Sequence, residues 1–387
     1  MNAKDQGSTD TVPARTGAGR GSEGRGNGRR KPDLDAPYLR LESTIMEANI
    51  RAMAVSAQTR GLGLWPHAKT HKSADIGRRQ LAAGAAGLTV ATVGEAEVFA
   101  AAGAPGIFIA YPLWMTPARA KRLLAVARRA KLRIGLDSPG AAEQLARFDL
   151  PAEVMIEVDS GHHRSGCPPE AAGDLAAHAQ SLGLRVAGVF TFPGHSYAPG
   201  GRDSAADDEA RAVTEAVAGL NSAGITAPVV SGGSSPSVAY ARKALTDIRP
   251  GVYVFNDAQQ LELGACTVED IALTVVGTVV SKPAGRMVLD AGTKTVGADR
   301  PAWATGHGRL LEYPEARITA ASEHHATVEM PGPLPPLGSR ILVVPNHACN
   351  AVNLHDHYVL AGGSGGSGAA SGSAAPQTWA VDARGMN

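Results

Sequence analysis

Between about residue 33 and residue 230 the sequence repeats one alternation: a short apolar run, then a longer stretch with apolar positions at helical spacing. Strands are predicted at 33–40, 87–92, 107–111, 133–136, 154–158, 184–190 and 228–230, and the apolar run 61–65 ends another. Helices are predicted at 41–58, 73–83, 94–102, 116–130, 139–147, 169–181 and 207–223. Strands separated by helices of this length pair in parallel, because each crossover must return the chain to the same end of the sheet. About eight such units in roughly 220 residues suit a closed (β/α)8 TIM-type barrel. An open doubly wound sheet is the alternative.

The pattern changes near residue 267. Short β segments at 271–280, 286–290, 317–322, 326–330 and 340–344 follow with turn residues between them and no long helix. The chain therefore divides into a barrel over 33–266 and a smaller, mainly β domain over 267–387. Within the second, residues 362–375 are rich in Gly, Ser and Ala and read as a flexible loop, before a last short strand at 379–381. Residues 1–32 carry almost nothing apolar, so a disordered tail is expected there. Arg29-Arg30 has no apolar segment after it, which argues against a twin-arginine signal and for a cytoplasmic protein.

Composition excludes several classes. With 37 basic and 36 acidic residues the net charge is +1, giving no general pull toward nucleic acid or an anionic membrane. No apolar run approaches the roughly 18–20 residues that span a bilayer. Three widely spaced cysteines, Cys167, Cys266 and Cys349, do not form a disulfide framework and fit a reducing compartment.

In a barrel, chemistry belongs where strands end and loops begin. Four polar clusters follow predicted strands: Pro66-His67-Ala68-Lys69-Thr70-His71-Lys72, Asp159 to Gly166, Pro193 to Tyr197, and Ser231-Gly232-Gly233-Ser234-Ser235. Lys69 is a candidate for imine formation with an aldehyde cofactor, since Lys72, His67 and His71 would disfavour a second positive charge and leave its amine neutral. A solvated basic loop is the plainer alternative. Gly233, Ser234 and Ser235 offer backbone N–H groups and small hydroxyls for a phosphate. Arg164 either serves a ligand or pairs with Asp159, and Tyr197 either contacts a ligand or packs. In the second domain, His347 and Cys349 on an extended segment would share one face, and imidazole with thiolate suits zinc. His324, His325, His355 and His357 stay open as metal or proton groups.

Pro66 to Lys72 resembles the cofactor-lysine motif of the D-threonine aldolase and D-serine dehydratase family, fold-type III pyridoxal phosphate enzymes related to alanine racemase. The resemblance runs from about Asp33 to the C-terminus. It implies that Lys69 carries pyridoxal 5'-phosphate, that Gly233, Ser234 and Ser235 lie by its phosphate, and that Arg164, in a Val-Asp-x-Gly-x-x-Arg-x-Gly stretch, approaches its phenolic edge. Gly251 and Tyr253 match a second stretch beside the cofactor. The like-placed arginine of alanine racemases meets the ring nitrogen, which raises the same role for Arg249. Thr191 and Tyr197 are candidate cofactor or substrate contacts.

Pro345-Asn346-His347-Ala348-Cys349 is similar to the family's metal segment. His and Cys here resemble the eukaryotic-type D-serine dehydratases, whereas many D-threonine aldolases carry His and Asp. The resemblance implies a zinc ion, with manganese as the alternative, on His347 and Cys349. The expected activity is that of a lyase removing water and then ammonia from a β-hydroxy D-amino acid: D-serine first, D-threonine or 3-hydroxyaspartate next. Retro-aldol cleavage to glycine and an aldehyde is the alternative. A non-catalytic carrier of the cofactor would lack the second domain, and a racemase would need a tyrosine on the opposite face. A homodimer is the family expectation.

Overall fold

The computed structural model describes residues 34–226, 228–361 and 376–386, all but Leu34 within one unit, Asp35–Asn387. The stretch read as a disordered tail and the 362–375 loop lie outside the described residues.

The chain opens with β1 (Tyr38–Glu42), whose alternating burial marks it as half-covered. Helix Ser43–Thr59 then leads to the barrel strands: β2 (Gly63–Leu64), β3 (Leu88–Val90), β4 (Gly106–Pro112), β5 (Lys131–Leu136), β6 (Ala152–Glu157), β7 (Arg185–Phe190), β8 (Val229–Gly232) and β9 (Asp247–Ile248). They form one parallel sheet in the order β2-β9-β8-β7-β6-β5-β4-β3. Its two ends meet: Ala86 N–H donates to Leu64 O and Thr89 N–H to Pro66 O, both at 2.9 Å, with a parallel bridge between His67 and Thr89. The closed barrel is the arrangement found, and the open doubly wound sheet is not.

Local chemistry explains several helix starts. The Thr92 and Thr116 hydroxyls cap the helices Val93–Ala101 and Pro117–Ala127, accepting from Glu95 N–H and Arg119 N–H. Pro117 and Pro139 stand at first helical positions, where no N–H is missed. Leu88, Val90, Ile107, Ile109, Ile134, Ile156 and Val189 bury against the surrounding helices. Trp65, Phe108, Met155 and Phe190 form a separate cluster. Charge lies beside that cluster: Arg133 stacks 4.7 Å over Trp65 and pairs with Glu153 and Asp247.

The second sheet has nine strands: β1 with β10 (Leu273–Ser281), β11 (Met287–Leu289), β12 (Arg309–Leu310), β13 (Arg317–Ala321), β14 (Ala326–Glu329), β15 (Arg340–Val344), β16 (His357–Ala361) and β17 (Thr378–Ala380). β1 pairs antiparallel with β10 and parallel with β16, so residues 38–42 belong to this sheet rather than to the barrel in which the sequence reading put them. Alternation of apolar and polar residues reads the same in either sheet, and only pairing tells them apart. The two domains are laced by backbone bonds where the site forms: Ala258 N–H to Pro345 O at 3.0 Å, and Gln259 N–H to Asn346 O at 3.3 Å.

Candidate active site

The Lys69 turn is built by the end of β2. After Trp65, His67 N–H donates to Pro250 O at 2.9 Å, which anchors the turn next to β9. Ala68–Thr70 then forms one 3-10 turn, with His67 Nδ1 accepting from Lys69 N–H. Gly251 is needed opposite: a Cβ there would stand 2.8 Å from Thr70 Oγ1 and 3.2 Å from His67.

Lys69 faces two adjoining cavities of about 620 and 440 Å³ that share His67, Lys69, Arg164, Phe192 and Arg249. Loss of hydration holds the Lys69 amine below the ordinary lysine range; Cys349 opposes this, and Arg164 and Arg249 add to it. The sequence reading gave that task to Lys72, His67 and His71. Burial instead keeps both histidines from charging, His67 well below its usual value and His71 down to about 4. The Lys72 ammonium turns elsewhere, to Glu95 and Asn353.

Of the predicted residues, Lys69, Arg164, Tyr197, Gly233, Ser234, Ser235, Gly251, His347 and Cys349 all line this space. Arg164 lies 5.1 Å over the Phe192 ring. Asp159, its alternative partner, is occupied by His163 at 2.7 Å and by the N–H groups of Gly161 and His163. Tyr197 stands beside Phe192 with its hydroxyl kept protonated by burial. Gly233 has φ +77°, a left-handed conformation that glycine adopts without strain, and its N–H donates to Glu209 Oε1 at 2.7 Å. Ser234 bonds to Ser196 and Ser237, each at 2.8 Å.

Thr191 and Tyr253 stand behind the wall. The Thr191 hydroxyl donates to Ser160 Oγ at 2.8 Å and its carbonyl accepts from Arg249. The Tyr253 hydroxyl accepts from Gln80 at 3.1 Å, while its N–H donates to Ser235 Oγ. Both therefore place residues that do line the cavity. Arg249, raised in the sequence reading only as a question, is buried between Phe108 and Phe190 at 5.5 and 5.3 Å and bonds to Ser231 Oγ. Phe192 and Asp299 carried no signal in the sequence, since nothing in their spacing sets them apart, whereas His162 lies in the polar cluster Asp159 to Gly166 without being singled out there.

The metal segment differs from its expected shape. His347 is extended, but Cys349 sits in the first turn of a short helix, Ala348–Val352. That helix starts because Asp257 Oδ2 accepts Ala348 N–H at 3.0 Å. Both side chains still meet the cavity. Asp299 accepts from His347 Nδ1 at 2.6 Å, leaving Nε2 as the nitrogen for a ligand. Burial alone would push the Cys349 thiol up, yet His347 and then Lys69 hold it below the ordinary range. Burial likewise opposes charge on His347, and Cys349 and Asp299 outweigh it. A cysteine held below the ordinary thiol range beside an imidazole whose Nδ1 is turned to Asp299 is a donor set that fits a borderline-soft cation, which binds the neutral imidazole and the deprotonated sulfur. Among the described residues, no group of three or more His, Cys, Asp or Glu gathers as a complete metal cage. His355 is tied to Thr295 O at 2.9 Å, and His324, His325 and His357 are exposed.

The description "alanine racemase, N-terminal domain" matches residues 43–259, and "serine dehydratase domain" matches 272–361. The D-threo-3-hydroxyaspartate dehydratase of Delftia sp. (strain HT23) is 34% identical over 348 residues, covering 82% of this chain and 91% of that protein. The chain belongs to the D-threonine aldolase and D-serine dehydratase family of fold-type III pyridoxal phosphate enzymes. Within the family, the D-threonine aldolase of Arthrobacter sp. is 33% identical, covering 84% of this chain and 89% of its own. The solved Delftia dehydratase superimposes with a TM-score of 0.81 at 32% identity, covering 90% of this chain and 98% of its own. The D-threonine aldolase of Filomicrobium marinum gives 0.81 at 28% identity, covering 92% and 97%. This chain is a pyridoxal phosphate-dependent lyase. The residues fit the cofactor: an amine whose proton affinity burial lowers, two arginines, and a glycine-serine turn, all on the two adjoining cavities. Among the described residues no helix is long and apolar enough to cross a membrane.

Proposed function

We propose that this chain removes water and then ammonia from a β-hydroxy D-amino acid, using pyridoxal 5'-phosphate and a zinc ion, with manganese as the alternative metal. The observation that carries the reading is that Lys69 of the barrel and the His347–Cys349 pair of the β domain line one cavity within one chain. When bound, the cofactor supplies an electron sink at Cα and the metal supplies Lewis acidity at the β-hydroxyl. Lys69 would hold the cofactor and take the Cα proton, a role supported by a proton affinity lowered below that of an ordinary lysine amine. Gly233, Ser234 and Ser235 would hold the phosphate, and Arg164 and Arg249 the ring's polar edges. Asp299 fixes the His347 tautomer, so that His347 Nε2 and Cys349 Sγ would be the metal donors. One solved mutant of a D-threo-3-hydroxyaspartate dehydratase is in a metal-free form, which supports a metal in that relative.

D-Serine is the proposed first substrate, with D-threonine and D-threo-3-hydroxyaspartate following. Retro-aldol cleavage is the second reading, and His162 favours it: it lines the same cavity, and burial, then Arg164 and His195, keep its imidazole neutral and able to accept a β-hydroxyl proton. Product analysis separates the two. Pyruvate and ammonia from D-serine support elimination, whereas glycine and acetaldehyde from D-threonine, with no oxo acid from either substrate, support cleavage. A homodimer in the cytoplasm is proposed with the family.

A further inference from the structure

The Lys69 turn and the metal helix come from domains that share few covalent constraints, since 279 residues separate Thr70 from Cys349. Lys72 joins them. Its side chain is buried, at 6% exposure, and its backbone is held at φ +49°, a left-handed conformation that costs a residue with a Cβ. That backbone is fixed on both sides: Lys72 N–H donates to Ala68 O at 2.8 Å, and Lys72 O accepts Ala383 N–H at 2.9 Å. From there the ammonium reaches Glu95 Oε1 at 3.4 Å and Asn353 Oδ1 at 2.9 Å.

The two partners are not equivalent. Glu95, at 1% exposure, belongs to the barrel helix Val93–Ala101, and its other oxygen accepts Ala91 N–H at 2.7 Å. A buried cation paired with it satisfies the charge of both. Asn353 ends the helix that carries Cys349, and Asn353 N–H donates to Cys349 O at 3.3 Å. A second, shorter thread runs from Cys349 Sγ to Thr70 Oγ1 at 3.3 Å. Lys72 is thus pinned to the barrel by an ion pair and to the metal helix by one hydrogen bond from its ammonium to an uncharged amide oxygen, three residues beyond Lys69.

We propose that the Lys72–Asn353 hydrogen bond is a positioning tie that sets the His347–Cys349 pair against Lys69. It rests on the reading that this pair holds the metal. Lys72 touches neither cofactor nor substrate; it acts through the helix end. The physical reason for a lysine here is reach combined with charge. A shorter cation anchored at the same backbone would not span Glu95 and Asn353 together, and a neutral residue would leave Glu95 buried without its counter-charge.

Lys72→Met is the obvious test but also strips Glu95 of its partner, so Asn353→Ala is the cleaner variant: it cuts the tie and leaves the ion pair. Three quantities are read on purified protein. These are zinc affinity by competition with a chromophoric chelator, pyridoxal phosphate affinity by absorbance titration, and the unfolding midpoint without either. The tie predicts a loss of zinc affinity of about 10- to 100-fold in Asn353→Ala, the range for residues that orient metal ligands. Cofactor affinity should stay within about threefold, and Asn353→Asp, which keeps an oxygen for Lys72, should restore zinc binding. Unchanged zinc affinity in Asn353→Ala overturns the proposal. So does a parallel loss of zinc and cofactor affinity that Asn353→Asp does not rescue, because that marks general loosening. If the unaltered protein takes up the cofactor and binds no zinc, the metal reading itself fails, which is a separate result.

Discussion

Glu209 offers a test of how the Gly233–Ser235 turn is built. It lies on helix Arg202–Ser222, is 1% exposed, and spends Oε1 on Gly233 N–H at 2.7 Å, while Oε2 is buried with no hydrogen-bond partner among the described residues. Burial raises its pKa from 4.5 to about 7, against the lowering by that N–H and by Arg249. A carboxyl group raised in the folded state stabilises it fully below the unfolded value, and that contribution is lost as pH rises through the folded value. A rise from 4.5 to about 7, at about 1.4 kcal/mol per pH unit, gives a loss of about 3 kcal/mol between pH 4.5 and 8. Partial relaxation around the buried charge makes this an upper figure. Glu209→Gln keeps an oxygen for Gly233 N–H and cannot ionise. Urea denaturation of cofactor-free protein, repeated from pH 4.5 to 8, should show the variant losing about 3 kcal/mol less stability than the unaltered protein over that range. Glu157 and Asp257, raised to about 7 and about 6, titrate in both proteins and cancel in the difference. Two parallel stability–pH curves would refute the reasoning, as would a variant that is less stable at every pH by one constant amount.

Lys69→Ala should abolish the shift in cofactor absorbance on binding while leaving metal uptake within a fewfold, whereas Cys349→Ser should do the reverse; spectral titration and chelator competition check both. Gly251→Ala places a methyl group 2.8 Å from Thr70 Oγ1, so it should push the lysine turn. About 1–3 kcal/mol of stability is expected to be lost, as for overpacking elsewhere, together with about tenfold in cofactor affinity, read by denaturation and by absorbance titration.

Periodicity made the barrel legible because each long helix and each run such as Ile107–Ile109 repeats its signal over several residues. β2 was read from the apolar run 61–65, but β9 is two residues long with no such run around it, and no period can be read from so little. β1 was seen as a strand but given to the wrong sheet, since pairing partners more than 200 residues away leave no local mark. The site was legible where motif and strand end coincide, at Lys69, Arg164, Ser234 and Cys349. It was less legible where a residue acts by burial. Arg249, raised by the resemblance, is held between two aromatic rings that leave no mark in the sequence; Asp299 acts on His347 Nδ1, and Lys72 on a helix end. Each is an ordinary polar residue until the fold removes its water.

The central claim is that a single chain brings its own barrel lysine and its own β-domain cysteine to one cavity. Crystals of the protein grown with pyridoxal phosphate and zinc, with data collected at the zinc absorption edge, test it most directly. The account predicts anomalous density bonded to His347 Nε2 and Cys349 Sγ, and cofactor density continuous with Lys69 Nζ, both lining that one cavity. Zinc bound away from Cys349, or cofactor joined to a lysine other than Lys69, would contradict it.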